Sequence, residues 1–158
     1  MYSNLQNFVR LNRNITDWFS VETGVCQGDN LDPTLFALFI NDLTLDMNSV
    51  HSGISFDKDL ELSILLYADD VVLLSNSADG LQKQLIVLNN SSVKWNLRIN
   101  GDKTKIVHYR KASSPRYSLI FKLVNKSIDY VSVYRYLGFA ISETFDHTVN
   151  WQTQAVEH

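Results

Sequence analysis

Two adjacent carboxylates, Asp69 and Asp70, lie between two short apolar runs and are the residues of this sequence best suited to chemistry. The runs, 62–68 and 71–74, are rich in branched side chains and too short for stable isolated helices, so they predict two buried strands with the charges at their junction. Desolvation and mutual repulsion disfavour ionising such a pair unless a cation, a basic partner or solvent compensates. A hard divalent ion such as Mg²⁺, bound by carboxylates together with substrate phosphates, suits this pair well.

The Asp-Asp pair also has an ordinary interpretation, a solvated turn, which the two residues alone leave open. The flanking runs favour an ion site, because a tight hairpin between buried strands would hold both side chains at a sheet rim on rigid elements. Tyr67 is predicted beside them, either as a half-buried aromatic or as a substrate contact. Successive side chains of a strand diverge, so one carboxylate should face a metal more directly than the other.

Composition limits the class of protein. With 45% hydrophobic residues, the 158-residue chain can close one core, and we expect one domain over 1–142 followed by a poorly ordered tail over 143–158. No run approaches the roughly 18 apolar residues of a membrane-spanning helix, and the N-terminus lacks the pattern of a signal peptide. A single cysteine, Cys26, excludes an internal disulfide and a zinc-thiolate cluster. We therefore expect an intracellular protein, nuclear or cytoplasmic, without a membrane partner.

Charge is unevenly distributed along the chain. Residues 1–93 contain four basic and twelve acidic residues, whereas residues 94–126 contain nine basic residues and one acidic residue. An acidic half that could hold cations, followed by a basic half that could hold phosphates, is compatible with phosphoryl-transfer chemistry. The alternative is that these charges are scattered over a solvated surface, and the counts do not distinguish the two.

The elements that must position these residues alternate along the chain. Loose alternation predicts a hairpin over 8–21, Asp32-Pro33 predicts a helix start, and Ser77 predicts the cap of a second helix with an apolar stripe. Short strands are expected after it, including 105–109 and a strand over 134–141. This order predicts an α+β fold, an antiparallel β-sheet with helices packed on one face.

Four segments of the sequence resemble motifs of one known family, and they follow one another along the chain in the order that the family has. The sequence Tyr67-Ala68-Asp69-Asp70 between apolar strands resembles the catalytic signature of reverse transcriptases. Segment 24–36, with Gln27-Gly28, resembles the motif that precedes this signature in non-LTR (LINE-type) retrotransposons. The third and fourth motifs are matched by Trp95, Leu97, Asn100, Lys103, Thr104 and by Tyr136-Leu137-Gly138.

The resemblance implies an RNA-directed DNA polymerase with a polymerase palm-like fold. In such an enzyme a primer 3′ hydroxyl attacks the α-phosphate of a deoxynucleoside triphosphate, and two Mg²⁺ ions, with Mn²⁺ as an alternative, stabilise the attacking and leaving oxygens. Asp69 and Asp70 would be the metal ligands and catalytic residues, with Asp69 the principal ligand. The implied partners are an RNA template, a DNA primer and deoxynucleoside triphosphates.

The resemblance also implies roles for residues in two loops, one before the first predicted helix and one after the second. Gln27 and Gly28 would lie against the template and the incoming nucleotide, since glycine allows close backbone approach and an amide both donates and accepts hydrogen bonds. Lys103 would lie near the nucleotide phosphates and could protonate the pyrophosphate leaving group. The alternatives are that the glycine only marks a loop before a helix and that the lysine is an ordinary surface residue.

The resemblance implies that a last segment holds the end of the primer. This segment consists of Tyr136, Leu137 and Gly138. The alternative is that Leu137 belongs to the core and that Gly138 marks a bulge.

The departures from the family pattern matter for activity. The family site needs a third aspartate from an earlier strand, and no early acidic residue has that strand context; the fingers and thumb are also missing. Cys26, Asn30 and Asp32 stand where many relatives have arginine, proline and serine. We therefore expect a palm fragment that is inactive alone and acts with the remaining fingers and thumb segments. The alternative is a non-catalytic remnant that binds nucleic acid through 94–126 or keeps only a structural role.

Overall fold

A computed structural model of the chain describes residues 6–20, 32–57, 60–116 and 118–144. The chain divides into two compact units, 1–42 and 43–158, and α1, Asp32–Asn48, runs from the first into the second. Residues 24–31 of the motif over 24–36, Gln27 and Gly28 among them, lie outside the described residues, whereas 32–36 form the start of α1.

The first unit contains a nested hairpin, as the sequence predicts. Its outer strands are β1, Gln6–Asn7, and β4, Phe19–Ser20; its inner strands are β2, Arg10–Leu11, and β3, Asn14–Ile15. The inner turn begins at Asn12, whose φ of 57° is a conformation that asparagine tolerates better than most residues.

Helix α1 begins at Asp32, which confirms the start predicted from Asp32-Pro33. Ile40, on the part of α1 within the first unit, is buried. On the part within the second unit, Leu43 and Met47 are buried, and Met47 is fully so. These three buried positions recur at the spacing of one helix face.

The strands of the second unit form antiparallel pairs. Strand β5 pairs with β6, β7 with β8, β9 with β10, and β11 with β12. Their bounds are Ile54–Asp57, Leu60–Leu62, Ile64–Tyr67, Asp70–Leu73, Phe121–Leu123, Lys126–Ile128, Val133–Tyr136 and Phe139–Ser142. The α+β class and the antiparallel pairing are confirmed, but the predicted single sheet is not found among the described residues, whose strands pair only two by two.

The core of the second unit lies between the second helix and the β9–β10 hairpin. Helix α2, Ala78–Lys94, is capped as predicted, since the Ser77 hydroxyl accepts a hydrogen bond from the Gly80 N–H at 3.1 Å. Leu85 on its apolar face forms a buried cluster with Ile106, Phe121, Leu123 and Ile128. The Gln82 side chain bonds both the N–H and the carbonyl of Lys122, each at 3.0 Å, so α2 also pairs with the backbone of β9.

The strand predicted over 105–109 is wrong. The segment forms one isolated parallel bridge, in which Ile106 donates to the Asp129 carbonyl and accepts from the Val131 N–H. Alternation in this segment reflects burial of Ile106 in the core rather than a strand ladder. Neither described helix is long and apolar enough to cross a membrane.

Candidate active site

Asp69 and Asp70 lie at the tip of the hairpin of β7 and β8, which we call the carboxylate hairpin (64–73). Tyr67 pairs with Asp70, so Ala68 and Asp69 form a two-residue turn. Ala68 has a φ of 49°, a left-handed conformation that costs a residue with a Cβ about 1 kcal/mol. The predicted turn between two strands is confirmed, and both carboxylates are at its end.

Both carboxylates are exposed to solvent. Within the described part of the chain, neither accepts a hydrogen bond nor forms an ion pair, and no arginine side chain contacts them. The two oxygens of each side chain are therefore open to a ligand from solution.

The strands of this hairpin are less buried than predicted. Ile64 is buried, but Leu65 is 41% exposed and Tyr67 is 62% exposed. The prediction that both runs are buried is therefore wrong for one face. The reason is the two-stranded pairing, because alternate side chains of a strand point to opposite faces and only one face meets the core here.

The base of the carboxylate hairpin is held by buried polar side chains. The Ser63 hydroxyl donates to Asn48 Oδ1 at 2.8 Å, and the Ser63 carbonyl accepts from the Leu74 N–H at 2.9 Å. The Leu74 carbonyl in turn accepts from Gln84 Nε2 at 2.9 Å. These bonds join the end of α1, both strands and α2, and so fix the direction in which the carboxylate tip extends.

Sequence reasoning missed these anchoring residues, although a signal was present. Ser63 interrupts an apolar run, and Gln84 lies on the predicted apolar stripe of α2, three residues after Leu81 and beside Leu85. A polar residue at a core position needs a hydrogen-bond partner. Ser63 is 2% exposed and Gln84 is fully buried, as such positions require.

Lys103 lies in the loop that follows α2, with its side chain exposed. Its N–H donates to Asn100 Oδ1 at 3.2 Å, and its carbonyl accepts from the Tyr134 hydroxyl at 3.3 Å. The Lys103 backbone is therefore held against β11. No hydrogen bond or ion pair among the described residues joins this loop to the carboxylate hairpin.

Leu137 and Gly138 form a tight turn between β11 and β12, so the strand predicted to run through them is wrong. Both have positive φ, 49° and 84°, which is the geometry that two-residue hairpin turns favour. Leu137 is 44% exposed, which excludes it from the core, and Tyr136 is half-buried on the adjoining strand. The structure thus brings Tyr136 and the Lys103 loop to the same strand, β11.

The donor set at the hairpin tip fits part of a divalent-metal site. Carboxylate oxygens are the ligands that Mg²⁺ and Ca²⁺ prefer in proteins, and those of Asp69 and Asp70 are free of other described partners. Among the described residues, no group of three His, Cys, Asp or Glu side chains is placed to hold a metal ion. Further oxygens would have to come from outside this set, substrate phosphates included.

Comparison with known proteins places this hairpin in a family. The family model "Reverse transcriptase (RNA-dependent DNA polymerase)" matches residues 2–141. The chain belongs to the reverse transcriptase family. The family resemblance drawn from the four motifs is thereby confirmed, and the carboxylate hairpin lies inside the matched region.

Several similar proteins come from mobile elements. The chain is 31% identical over 143 residues to "RNA-directed DNA polymerase from mobile element jockey" of Drosophila melanogaster. The aligned residues cover 84% of the chain and 15% of that protein. It is 31% identical over 132 residues to the protein of the same name in Drosophila funebris, covering 78% of the chain and 13% of that protein. It is 24% identical to a type-1 retrotransposable element R2 polyprotein of Popillia japonica, covering 82% of the chain and 22% of the relative. The chain thus spans less than a quarter of each of these relatives.

The basic segment of the chain, 94–126, is partly neutralised by ion pairs. Lys105 pairs with Asp129, Lys126 with Asp102, and Arg110 and Arg116 both pair with Glu143. The cations of 94–126 are therefore not all available to phosphates. The remaining ones, among them Lys103, form no ion pair with any described residue.

Proposed function

We propose that this chain is the palm portion of an RNA-directed DNA polymerase, in which the carboxylate hairpin is part of the nucleotidyl-transfer site. The observation that carries the proposal is the exposed pair Asp69 and Asp70, which has no partner among the described residues and lies at a two-residue turn inside the family match. The substrates would be an RNA template, a DNA primer and deoxynucleoside triphosphates. The strand pairs of the second unit would join a larger, palm-like sheet in the complete polymerase.

In the proposed reaction, the primer 3′ hydroxyl loses its proton to solvent and attacks the α-phosphorus, a new phosphodiester bond forms, and the bond to pyrophosphate breaks. Bound divalent ions, Mg²⁺ or Mn²⁺, would supply charge stabilisation for the attacking and leaving oxygens. Asp69 and Asp70 would hold those ions, with Asp69 the principal ligand. Lys103 would hold the phosphates and deliver a proton to the departing pyrophosphate.

Other parts of the chain would position the nucleic acid. Gln27 and Gly28 would face the template and incoming nucleotide, with Tyr67 beside the metal ligands. The turn of Leu137 and Gly138, with Tyr136 on the adjoining strand, would contact the end of the primer, since Leu137 is exposed and the glycine has open space around it and no side chain to obstruct a ligand. Alone, the chain is expected not to polymerise, because two carboxylates supply few of the oxygens that two bound ions need.

The first test measures metal binding on the chain itself. Paramagnetic Mn²⁺, titrated into ¹⁵N-labelled chain, should broaden the amide signals of residues 67–71 before all others, and Asp69→Asn should abolish this selectivity. Asp17→Asn is the matched control, since Asp17 is an exposed aspartate outside the hairpin that has no partner among the described residues. Broadening that is equally strong in the Asp69→Asn variant would contradict the proposed ligand role.

The second test separates the catalytic proposal from a non-catalytic one. Primer extension on an RNA template with Mg²⁺ should show no synthesis by the chain alone, and synthesis that is lost on Asp69→Ala would overturn the expected inactivity. RNA binding that weakens with salt and is unaffected by Asp69→Asn, together with no selective Mn²⁺ binding, would instead support a nucleic-acid-binding remnant.

A further inference from the structure

The loop from Asn100 to Lys105, here called the lysine loop, is organised by one residue, Asn100. Asn100 Oδ1 accepts hydrogen bonds from the N–H groups of Asp102 and Lys103, each at 3.2 Å. The Asn100 carbonyl accepts from the N–H of Thr104 at 3.0 Å and from its hydroxyl at 2.8 Å. Asparagine is suited to this work because its side chain can replace a backbone acceptor two or three residues before the donor. Two of these four hydrogen bonds are therefore made by the Asn100 side chain and two by its backbone carbonyl.

A second residue holds the same loop from outside. Tyr134, on β11, donates its hydroxyl to the Lys103 carbonyl at 3.3 Å, across 31 residues of sequence. Lys103 is thus fixed at both of its backbone polar groups, its N–H by Asn100 and its carbonyl by Tyr134. Fixing both groups restricts φ and ψ at Lys103 and so sets the direction in which its side chain leaves the backbone.

The charges around Lys103 are neutralised in pairs. Asp102 pairs with Lys126, and the hydrogen bond from Lys126 holds the pKa of Asp102 below its usual range. Lys105 pairs with Asp129, and the hydrogen bond from Lys105 lowers the pKa of Asp129 likewise. Lys103 is the charged side chain of the loop that forms no ion pair with a described residue. Its positive charge is therefore open to an anion.

We propose that Asn100 and Tyr134 are positioning residues that orient Lys103 towards the phosphate groups of its substrate. This inference rests on the proposed function, in which Lys103 contacts the nucleotide phosphates, and extends it to two residues that do not touch substrate. Asn100 acts by shaping the lysine loop, and Tyr134 acts by fastening that loop to β11. Preorganisation of a flexible lysine reduces the conformational entropy that binding would otherwise cost.

The test uses inorganic tripolyphosphate as the probe, titrated without divalent metal into the ¹⁵N-labelled full chain. Lys103→Ala should weaken binding, and Lys111→Ala, which removes an exposed lysine outside the loop, is the matched control. Asn100→Ala should raise Kd about three- to tenfold, the loss expected when hydrogen bonds that hold a binding group are removed. Tyr134→Phe deletes only the hydroxyl and should raise Kd about threefold.

Two further measurements separate positioning from general destabilisation. Asn100→Ala should speed hydrogen exchange at the Asp102 and Lys103 amides, while the core amides of α2 remain protected. Asn100→Ser keeps an uncharged acceptor and should restore both the protection and the tripolyphosphate affinity in part. Affinity changes that follow global stability, with no rescue by serine, would overturn the proposal even if the alanine variant were poorly folded.

The outcomes distinguish this inference from the proposed function. If Lys103→Ala weakens tripolyphosphate binding while Asn100→Ala and Tyr134→Phe leave the Kd unchanged, the positioning role alone is overturned. Lys103→Ala without effect would overturn the assignment of Lys103 to phosphates, and the positioning role with it. Selective Mn²⁺ binding at the carboxylate hairpin would still test the metal site independently.

Discussion

Gln84 donates a hydrogen bond from Nε2 to the carbonyl of Leu74 at 2.9 Å, and this bond joins the buried face of α2 to the end of the carboxylate hairpin. Gln84 is fully buried, and its Oε1 has no hydrogen-bond partner among the described residues. A buried amide that satisfies only half of its capacity is costly. Without the Gln84 side chain, however, the Leu74 carbonyl would lose this hydrogen bond as well. The bond therefore fixes the direction in which the hairpin leaves the core.

Gln84→Ala should lower the free energy of unfolding by about 2 to 4 kcal/mol, because it creates a cavity and leaves the Leu74 carbonyl unpaired. Urea denaturation measures the change. Asn90→Ala, at an exposed position of the same helix, should change the free energy of unfolding by less than about 0.5 kcal/mol. Equal effects of the two substitutions would contradict the anchoring role of Gln84.

Gly80→Ala should destabilise the chain, although alanine is normally the better helix former. A Cβ at position 80 would lie 2.6 Å from the Ser52 Cβ and 2.7 Å from the Ser75 Oγ, so the helix start would have to shift. We expect a loss of about 1 to 3 kcal/mol in the free energy of unfolding, as for other overpacked sites. Thermal denaturation measures it.

Gly101→Ala is the control for Gly80→Ala. A Cβ at position 101 would meet only the Lys126 Cδ, at 3.6 Å, which is ordinary contact. Its stability should be unchanged or raised by less than about 1 kcal/mol. A gain in stability at both glycines would show that the close packing at Gly80 is relieved at little cost.

Asp69→Asn should separate function from stability. Because Asp69 has no described protein partner and is exposed, its replacement should change the free energy of unfolding by less than about 0.5 kcal/mol. Mn²⁺ affinity should nevertheless fall by more than the roughly tenfold that follows loss of an outer-shell partner. A large loss of stability with unchanged Mn²⁺ affinity would indicate that the aspartate serves the fold instead.

Local signals in the sequence predicted the helices and the carboxylate turn. Asp32-Pro33 and Ser77 act within one helical turn of where they stand, so their effect does not depend on distant residues. The tight turn at Leu137-Gly138 was missed because leucine rarely takes a positive φ, although the glycine beside it was a signal.

Interactions over long sequence separations could not be predicted in the same way. Which strands pair depends on the whole fold, so the expected single sheet could not be checked against any local pattern. The ion cluster of Arg110, Arg116 and Glu143 joins residues 27 and 33 positions apart, and charge counts alone do not pair them. Most of the tail predicted over 143–158 lies outside the described residues, yet Glu143 itself is only 7% exposed.

The cluster around Glu143 predicts a pH dependence of stability. The hydrogen bond from Arg116 is the largest cause that lowers the pKa of Glu143 from its ordinary 4.5, burial opposes it, and Arg110 lowers the pKa further. Because the pKa is lower in the folded state, the stabilisation is fully present above the unfolded pKa and is lost as pH falls through the folded value.

Glu143→Gln should therefore be less stable than the wild type near neutral pH, and the difference should shrink as the pH is lowered below about 4.5, the unfolded value. Urea denaturation at a series of pH values measures it. Arg116→Ala should show a pH profile of the same shape, since its hydrogen bond to Glu143 is the larger cause of the shift. A protonated Glu143 can no longer form the ion pairs that distinguish it from glutamine. The assignment would therefore be contradicted if wild type and Glu143→Gln still differed as much in free energy of unfolding at the acid end of the series.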